Sequence, residues 1–326
     1  TLRFFKVPQV TQGTPLERLD TVWTESTTGS SGTARDFGAV AYHFGLMLQD
    51  ELESSEGAKD VPVGLIHSAK GGTTVEKWLP SGTSYNTGDA GGHYNGQIDA
   101  IIPFAMRGAI WYQGESNVAE DQDATGYVAK KKALIDGWRA LWGYDFPFYY
   151  AQLAPYDYTT GFSVDAGVLP LFWEAQSAVL DQVTNAGMAV ASDHVVGTDG
   201  NLNLNEMHPR DKEPIGQRLA LLALDNTYGQ SIVSTGPTLQ SIRLVGNQVE
   251  ITFDSAVGLT TSDSLAPDWF ELAGADQTYY TATATVSGDK VILEASQVPV
   301  PEYMRFAWSQ VAQPNLRNAV GLVPSA

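Results

Sequence analysis

Short apolar runs, spaced for a sheet and separated by amphipathic stretches, set the limits on what this chain can become. Residues 2–7, 61–67, 107–110, 146–153 and 187–192 each read as a buried strand. Between them, residues 36–52, 127–142, 171–182 and 211–224 carry apolar side chains at helical spacing. In the first of these, Val40, Phe44, Met47 and Leu48 recur on one face and Asp36 stands where an N-cap belongs. Such alternation predicts an α/β fold over residues 1–235, a mostly parallel sheet with helices on both faces. Residues 81–96 read as a Gly-rich loop, and Tyr94 to Ile98 as the start of an apolar segment leading to the next strand. Near Gly236 the rhythm changes to short strands, with turn signals at Gly246-Asn247 and Gly288-Asp289. Residues 236–326 are therefore predicted as a small, all-β, sandwich-like accessory domain.

Bulk properties narrow the function. The net charge is −18 over 326 residues, which disfavours nucleic acid and anionic lipid as partners. No apolar stretch is long enough to span a bilayer. With no cysteine, thiolate catalysis, disulfides and cysteine metal sites are excluded. The histidines are His43, His67, His93, His194 and His208, and no pair has the spacing of a zinc motif, so no metal is expected. Residues 2–7 read as a strand already under way, so an upstream start of the gene product is expected.

Chemistry-bearing residues fall in three clusters. Trp111-Tyr112-Gln113-Gly114-Glu115-Ser116-Asn117 closes a predicted strand, and ligands of open α/β sheets bind beyond the carboxyl ends of strands. Ser68-Ala69-Lys70-Gly71-Gly72-Thr73 follows another strand with a turn whose backbone N–H groups suit an oxyanion. A turn without function reads the same way in isolation. Asn205-Glu206-Met207-His208-Pro209 sets a histidine and a carboxylate before the last predicted helix, as a general base oriented by an acid would be. A surface histidine beside a helix start has the same pattern.

Together the clusters, with Glu76 and Trp78 after the first and Lys212, Gly216, Arg218, Leu219 and Ala220 after the last, resemble the sialate O-acetylesterase family of SGNH hydrolases. These are carbohydrate acetylesterases. Tyr94-Asn95-Gly96, Glu174-Ala175-Gln176 and Asn315-Leu316-Arg317-Asn318 extend the resemblance over essentially the whole chain. It implies a flavodoxin-like, three-layer α/β/α domain and an acetylated carbohydrate as substrate. It implies an acyl-enzyme route in which His208 takes a serine proton and returns it to the leaving sugar oxygen, with no cofactor. Gly72 N–H and the Gln113 amide would form the oxyanion hole, with Asn117 the alternative side-chain donor. Glu115 and Ser116 would brace that loop. A bacterial secreted or periplasmic location is implied by the family alone.

Two positions depart from the family pattern. Asn205 stands where an aspartate is common, which leaves either Glu206 or a backbone carbonyl to orient His208. Lys70 replaces a usual tryptophan. The larger departure concerns the nucleophile, which the family carries on a G-Q-S-N block after the first sheet strand. No such block occurs here; Gly229-Gln230-Ser231 has the wrong context, and Ser68 is the weaker alternative. A sheet without that strand would leave backbone groups unpaired. An N-terminal fragment or a sister chain is therefore expected to complete the sheet and supply the serine. Other readings are an esterase of acetylated xylan or another plant polysaccharide, and an inactive carbohydrate-binding homologue. Trp78, Tyr85, Tyr94, Tyr156 and Tyr158 would either stack on sugar or pack internally.

Overall fold

The computed structural model describes residues 1–56, 61–85, 91–102, 104–193 and 206–325. In chain order the strands are β1 (Leu2–Lys6), β2 (Trp23–Glu25), β3 (Val63–His67), β4 (Ala109–Trp111), β5 (Phe148–Ala151) and β6 (Ala186–Ala189). There follow β7 (Thr238–Val245), β8 (Gln248–Asp254), β9 (Thr260–Thr261), β10 (Phe270–Ala273), β11 (Tyr280–Thr281), β12 (Thr283–Ser287), β13 (Lys290–Glu294), β14 (Tyr303–Phe306) and β15 (Leu316–Arg317). The helices are α1 (Ala39–Glu56), α2 (Ala124–Trp142), α3 (Tyr158–Gly161), α4 (Val168–Gln182) and α5 (Glu213–Asn226). The alternation expected up to α5, and the all-β remainder, are both present.

Local chemistry explains the boundaries. Asp123 caps α2 by accepting from the Gly126 N–H, and Gly143, at φ 79°, closes it in the left-handed region. Pro214 opens α5, where its missing N–H costs nothing. Asp36 does not cap α1; it ends a 3-10 turn (Thr33–Asp36), and the helix begins at Ala39. Tyr94–Ile98, read as the start of an apolar segment, forms a single π-helical turn.

The chain divides into two compact units. One holds Thr1–Ala151, Ala175–Ala189 and Asp211–Ile232; the other holds Gln152–Glu174, Val190–Arg210 and Val233–Ala326. Parts of the predicted first domain thus group with the β-rich tail, and the second unit's long C-terminal segment starts at Val233.

In the first unit the parallel strands form two sheets rather than one. Their orders are β2-β1-β3 and β4-β5-β6, with β1 parallel to β3 and β4 parallel to β5 and β6. Among the described residues, β3 and β4 each keep one edge without a partner strand. Helix α1 packs on β1 and β3, α5 packs on β5 and β6, and the two helices pack against each other. Gly216 permits that crossing, because a Cβ there would lie 2.7 Å from the Val40 carbonyl oxygen and 2.8 Å from the His43 Cβ.

The second unit contains antiparallel sheets that pack on a shared core. One sheet runs β12-β13-β8-β7 and another β11-β10-β14. Val249, Ile251 and Phe253 of β8, Val291 and Leu293 of β13, and Phe270 and Leu272 of β10 share one core. Gly246 and Gly288 take positive φ in the two-residue hairpin turns. The Asn315 side chain donates to Asp263 and to the Ala266 carbonyl, and Asn318 donates to the carbonyls of Thr235 and Ser255. Those bonds explain the polar residues of the tail as structural ties.

Candidate active site

Two loops of the first unit leave the carboxyl ends of the half-sheets and meet. The loop after β3 passes Ser68, Lys70, Gly71 and Gly72 into a 3-10 turn, Val75–Trp78. The loop after β4 passes Gln113 and Gly114 into a π-helical turn, Asn117–Asp121. Gly114, at φ 151°, and Gly72, at φ 69°, turn the backbone where a side chain would strain it. A Cβ on Gly71 or Gly72 would meet nothing within 4 Å, and both residues are exposed, so this turn faces open space.

The loops are joined by a saturated hydrogen-bond network. The Gln113 amide nitrogen donates to the Thr73 carbonyl at 3.1 Å and to Asn117 Oδ1 at 2.7 Å. Asn117 is fully buried; its Oδ1 also accepts from the Val75 N–H at 3.0 Å, and its Nδ2 donates to Glu76 Oε2 at 3.1 Å and Asp121 Oδ2 at 3.4 Å. The Tyr127 hydroxyl donates toward Gln113, lying 3.1 Å from its carbonyl oxygen and 3.2 Å from Oε1. Lys130 closes the network with an ion pair to Glu76 at 2.7 Å and another to Asp121. Burial pushes the Glu76 carboxyl up, but bonds from Lys130 and Asn117 outweigh it and hold the group below its ordinary range. Burial, and then the charge of Glu115, pushes the Tyr127 phenol far up, so it stays a neutral donor.

This geometry revises the part assigned to two predicted residues. Both amide hydrogens of Gln113, and both of Asn117, are engaged within the protein, so in this arrangement the two side chains brace the loops rather than present donors. The exposed Gly72 turn is the predicted oxyanion element that faces open space. Glu115 and Ser116 are half-buried beside the brace, and the Glu115 charge acts on the Tyr112 and Tyr127 phenols. The Ser68 hydroxyl donates to Gln97 Oε1 at 3.3 Å, an amide and not a base. Gln97 Nε2 in turn pairs with His93 Nδ1 at 2.8 Å, and burial keeps His93 below the usual imidazole range. Lys70 reaches Gln9 Oε1 at 3.4 Å.

His208 and Glu206 belong to the second unit. His208 Nδ1 lies 3.9 Å from Glu206 Oε1, a close ion-pair distance longer than a hydrogen bond, and the imidazole side chain is 72% exposed. Arg210 approaches the other carboxylate oxygen at 4.0 Å. Asn205 and His194 lie outside the described residues. Of the aromatic residues named as sugar platforms, Trp78, Tyr94 and Tyr158 are buried and therefore pack internally.

A family model described as carbohydrate esterase, sialic acid-specific acetylesterase, matches residues 28–221. The chain belongs to this family. It is 33% identical to a carbohydrate acetylesterase from Xanthomonas citri of known structure, with a TM-score of 0.85, over 99% of this chain and 72% of that one. It is 28% identical to the human sialate O-acetylesterase over 76% of this chain, and 25% identical to the mouse enzyme over 81%. The chain spans about half the length of these curated relatives, 51% and 58%. The family's α/β architecture agrees with the parallel half-sheets and their helices.

The sequence reading missed how Tyr127, Lys130 and Asp121 serve the site. Their one signal is register: Tyr127 and Lys130 stand three apart on the first turns of α2, on one face. It also missed Lys131, which is fully buried with no hydrogen-bond partner, its Nζ 3.2 Å from the Tyr150 ring centroid. Burial drives this amine well below the ordinary lysine range.

Proposed function

We propose that the protein is a carbohydrate O-acetylesterase whose serine nucleophile arrives on a strand that inserts between β3 and β4. The observation that carries this reading is the pair of bare edges in parallel half-sheets whose downstream loops are already bonded to each other. A parallel strand entering there makes its ladder bonds on both sides and ends between the Gly72 turn and the Gln113 loop. That is the carboxyl end of the sheet, where α/β proteins do chemistry. The Tyr112 hydroxyl, buried at the end of β4 without a hydrogen-bond partner, agrees with a site that lacks a neighbour.

In this reading the serine attacks the acetyl carbonyl, and His208 takes its proton and returns it to the departing sugar oxygen. Water then attacks the acyl-serine and releases acetate. The Gly72 N–H, with the backbone N–H of the incoming segment, stabilises the developing oxyanion, while Gln113 and Asn117 hold the turn in place. Glu206 orients His208 after a small closure of their 3.9 Å separation. The relative at 33% identity is named a carbohydrate acetylesterase, which supports acetylated sugars as the substrate class.

The test is acetate release from p-nitrophenyl acetate, combined with labelling by a serine-directed phosphonate and intact-mass analysis of protein from its native host. Label on a serine in a G-Q-S-N sequence outside these residues supports the reading. Label on Ser68, or full activity of residues 1–326 alone, overturns it.

A further inference from the structure

The two edge strands of the larger sandwich sheet differ in a way that their sequences do not explain. β12, at one edge, turns Ala284 into the core, where it is 3% exposed. β7, at the other edge, is exposed at every position. Yet β7 is patterned for burial. Leu239, Ile242 and Leu244 pair across from Phe253, Ile251 and Val249, and paired residues of antiparallel strands share a sheet face. The three therefore continue the core-facing row of β8, while remaining 59%, 50% and 50% exposed. A register irregularity between Leu239 and Ser241 keeps Leu239 on that face. Ser241 and Arg243, on the opposite face, are polar.

The facing sheet shows the matching gap. β11 runs into β12 through Ala282 alone, so those two edges share one side of the sandwich. β7 and β14 are then the edges of the other side. Met304 and Phe306 of β14 contact the core but are only partly buried. A row on β7 is covered only by a strand lying opposite it in the facing sheet. The vacant position for that strand is the outer edge of β14, which has no partner among the described residues.

We propose that the open side of the sandwich, between β7 and β14, is a docking groove for a β-strand with apolar residues at alternate positions. That strand belongs to the part of the longer relatives' polypeptide that has no counterpart among these 326 residues. The Xanthomonas relative supplies the reason for this occupant: its structure aligns with 99% of this chain while 72% of its own is used. The strand pairs with β14 through its backbone and lays its apolar side chains on Leu239, Ile242 and Leu244. This docking is independent of the chemistry proposed above, because it lies wholly within the second unit and needs no serine.

Hydrogen exchange read by mass spectrometry decides the matter, comparing protein purified from its native host with recombinant residues 1–326. The native preparation is expected to carry further polypeptide, and its amides at 303–306 to exchange at least ~10-fold more slowly than in residues 1–326. Replacing Ile242→Lys with Leu244→Lys in the native gene should abolish that protection while leaving the melting temperature of residues 1–326 unchanged. Thr285→Lys, at an exposed position on β12, should leave both the protection and the melting temperature unchanged. Equal exchange in the two preparations overturns the proposal. So does a native protein consisting of these residues alone, or protection that tracks with a dimer of this chain by light scattering. None of these readouts uses ester hydrolysis: equal exchange with further polypeptide present sinks the docking alone and leaves the acetylesterase reading intact, whereas a native protein of these residues alone removes the proposed serine segment as well.

Discussion

The two halves of the proposed catalytic apparatus are held in opposite ways. Around Gln113 and Asn117, every amide hydrogen is engaged, the linking asparagine is fully buried, and two acidic groups share one lysine. Around His208 the side chain is mostly in water and its nearest acid is 3.9 Å away. The first is fixed by buried, paired groups and the second is left open to water. An oxyanion turn must be rigid before the reaction, because its contribution depends on donors that need no reorganisation. A general base must exchange protons with solvent, so exposure suits it.

The largest effect that would sharpen this contrast is on turnover. In protein carrying its nucleophile, His208→Ala should lower kcat by roughly 10³-fold or more, leaving the melting temperature within about a degree of wild type. A variant that retains turnover, or that melts much earlier, breaks the contrast at the base. Asn117→Ala should have the reverse signature. It leaves the Val75 N–H, the Gln113 amide and the Glu76 carboxylate short of partners, at a cost of about 2–4 kcal/mol in urea unfolding. A smaller loss would mean that water takes over the brace.

Next comes Lys131, a buried amine in an aromatic setting. Lys131→Met removes an unpartnered polar group at similar volume and should raise stability by about 1–2 kcal/mol at neutral pH. A loss instead would show that the contact with Tyr150 outweighs desolvation.

The smallest effect is the pH response of Glu76. Its carboxyl is depressed in the folded state, so the stability it contributes is present above its unfolded value near 4.5 and lost as pH falls through the folded value. Glu76→Gln should flatten that part of the acid limb, measured as the unfolding midpoint against pH. An unchanged acid limb would remove Glu76 from the brace.

Most of the architecture was legible because apolar spacing reports burial directly. The runs at 2–7, 61–67 and 146–153 became β1, β3 and β5, with β1 shorter at its end, β3 at its start and β5 at both. Asp36 misled because capping residues are also common in the 3-10 turns that precede helices, and here it ends one. The site was legible as residue types at loop positions and illegible as geometry. Nothing in the spacing of Gln113 and Asn117 says that each would consume the other's hydrogen-bonding capacity, since that depends on two loops 40 residues apart meeting, as the Gln113 bond to Thr73 shows. Tyr127 was hidden for the same reason: a tyrosine on an amphipathic helix reads as core, and its hydroxyl reaches Gln113 only in the folded chain. The exposure of β7 was invisible because its alternation is that of a covered strand.

Gly216 gives the α1–α5 crossing a meaning beyond helix packing. With α1 seated on β1 and β3, and α5 on β5 and β6, that crossing works as a calliper whose jaws are the two bare edges. One methyl group at position 216 would meet the Val40 carbonyl and the His43 side chain, pushing the jaws apart. The spacing of the two bare edges is thus gauged by a hydrogen atom at a helix crossing.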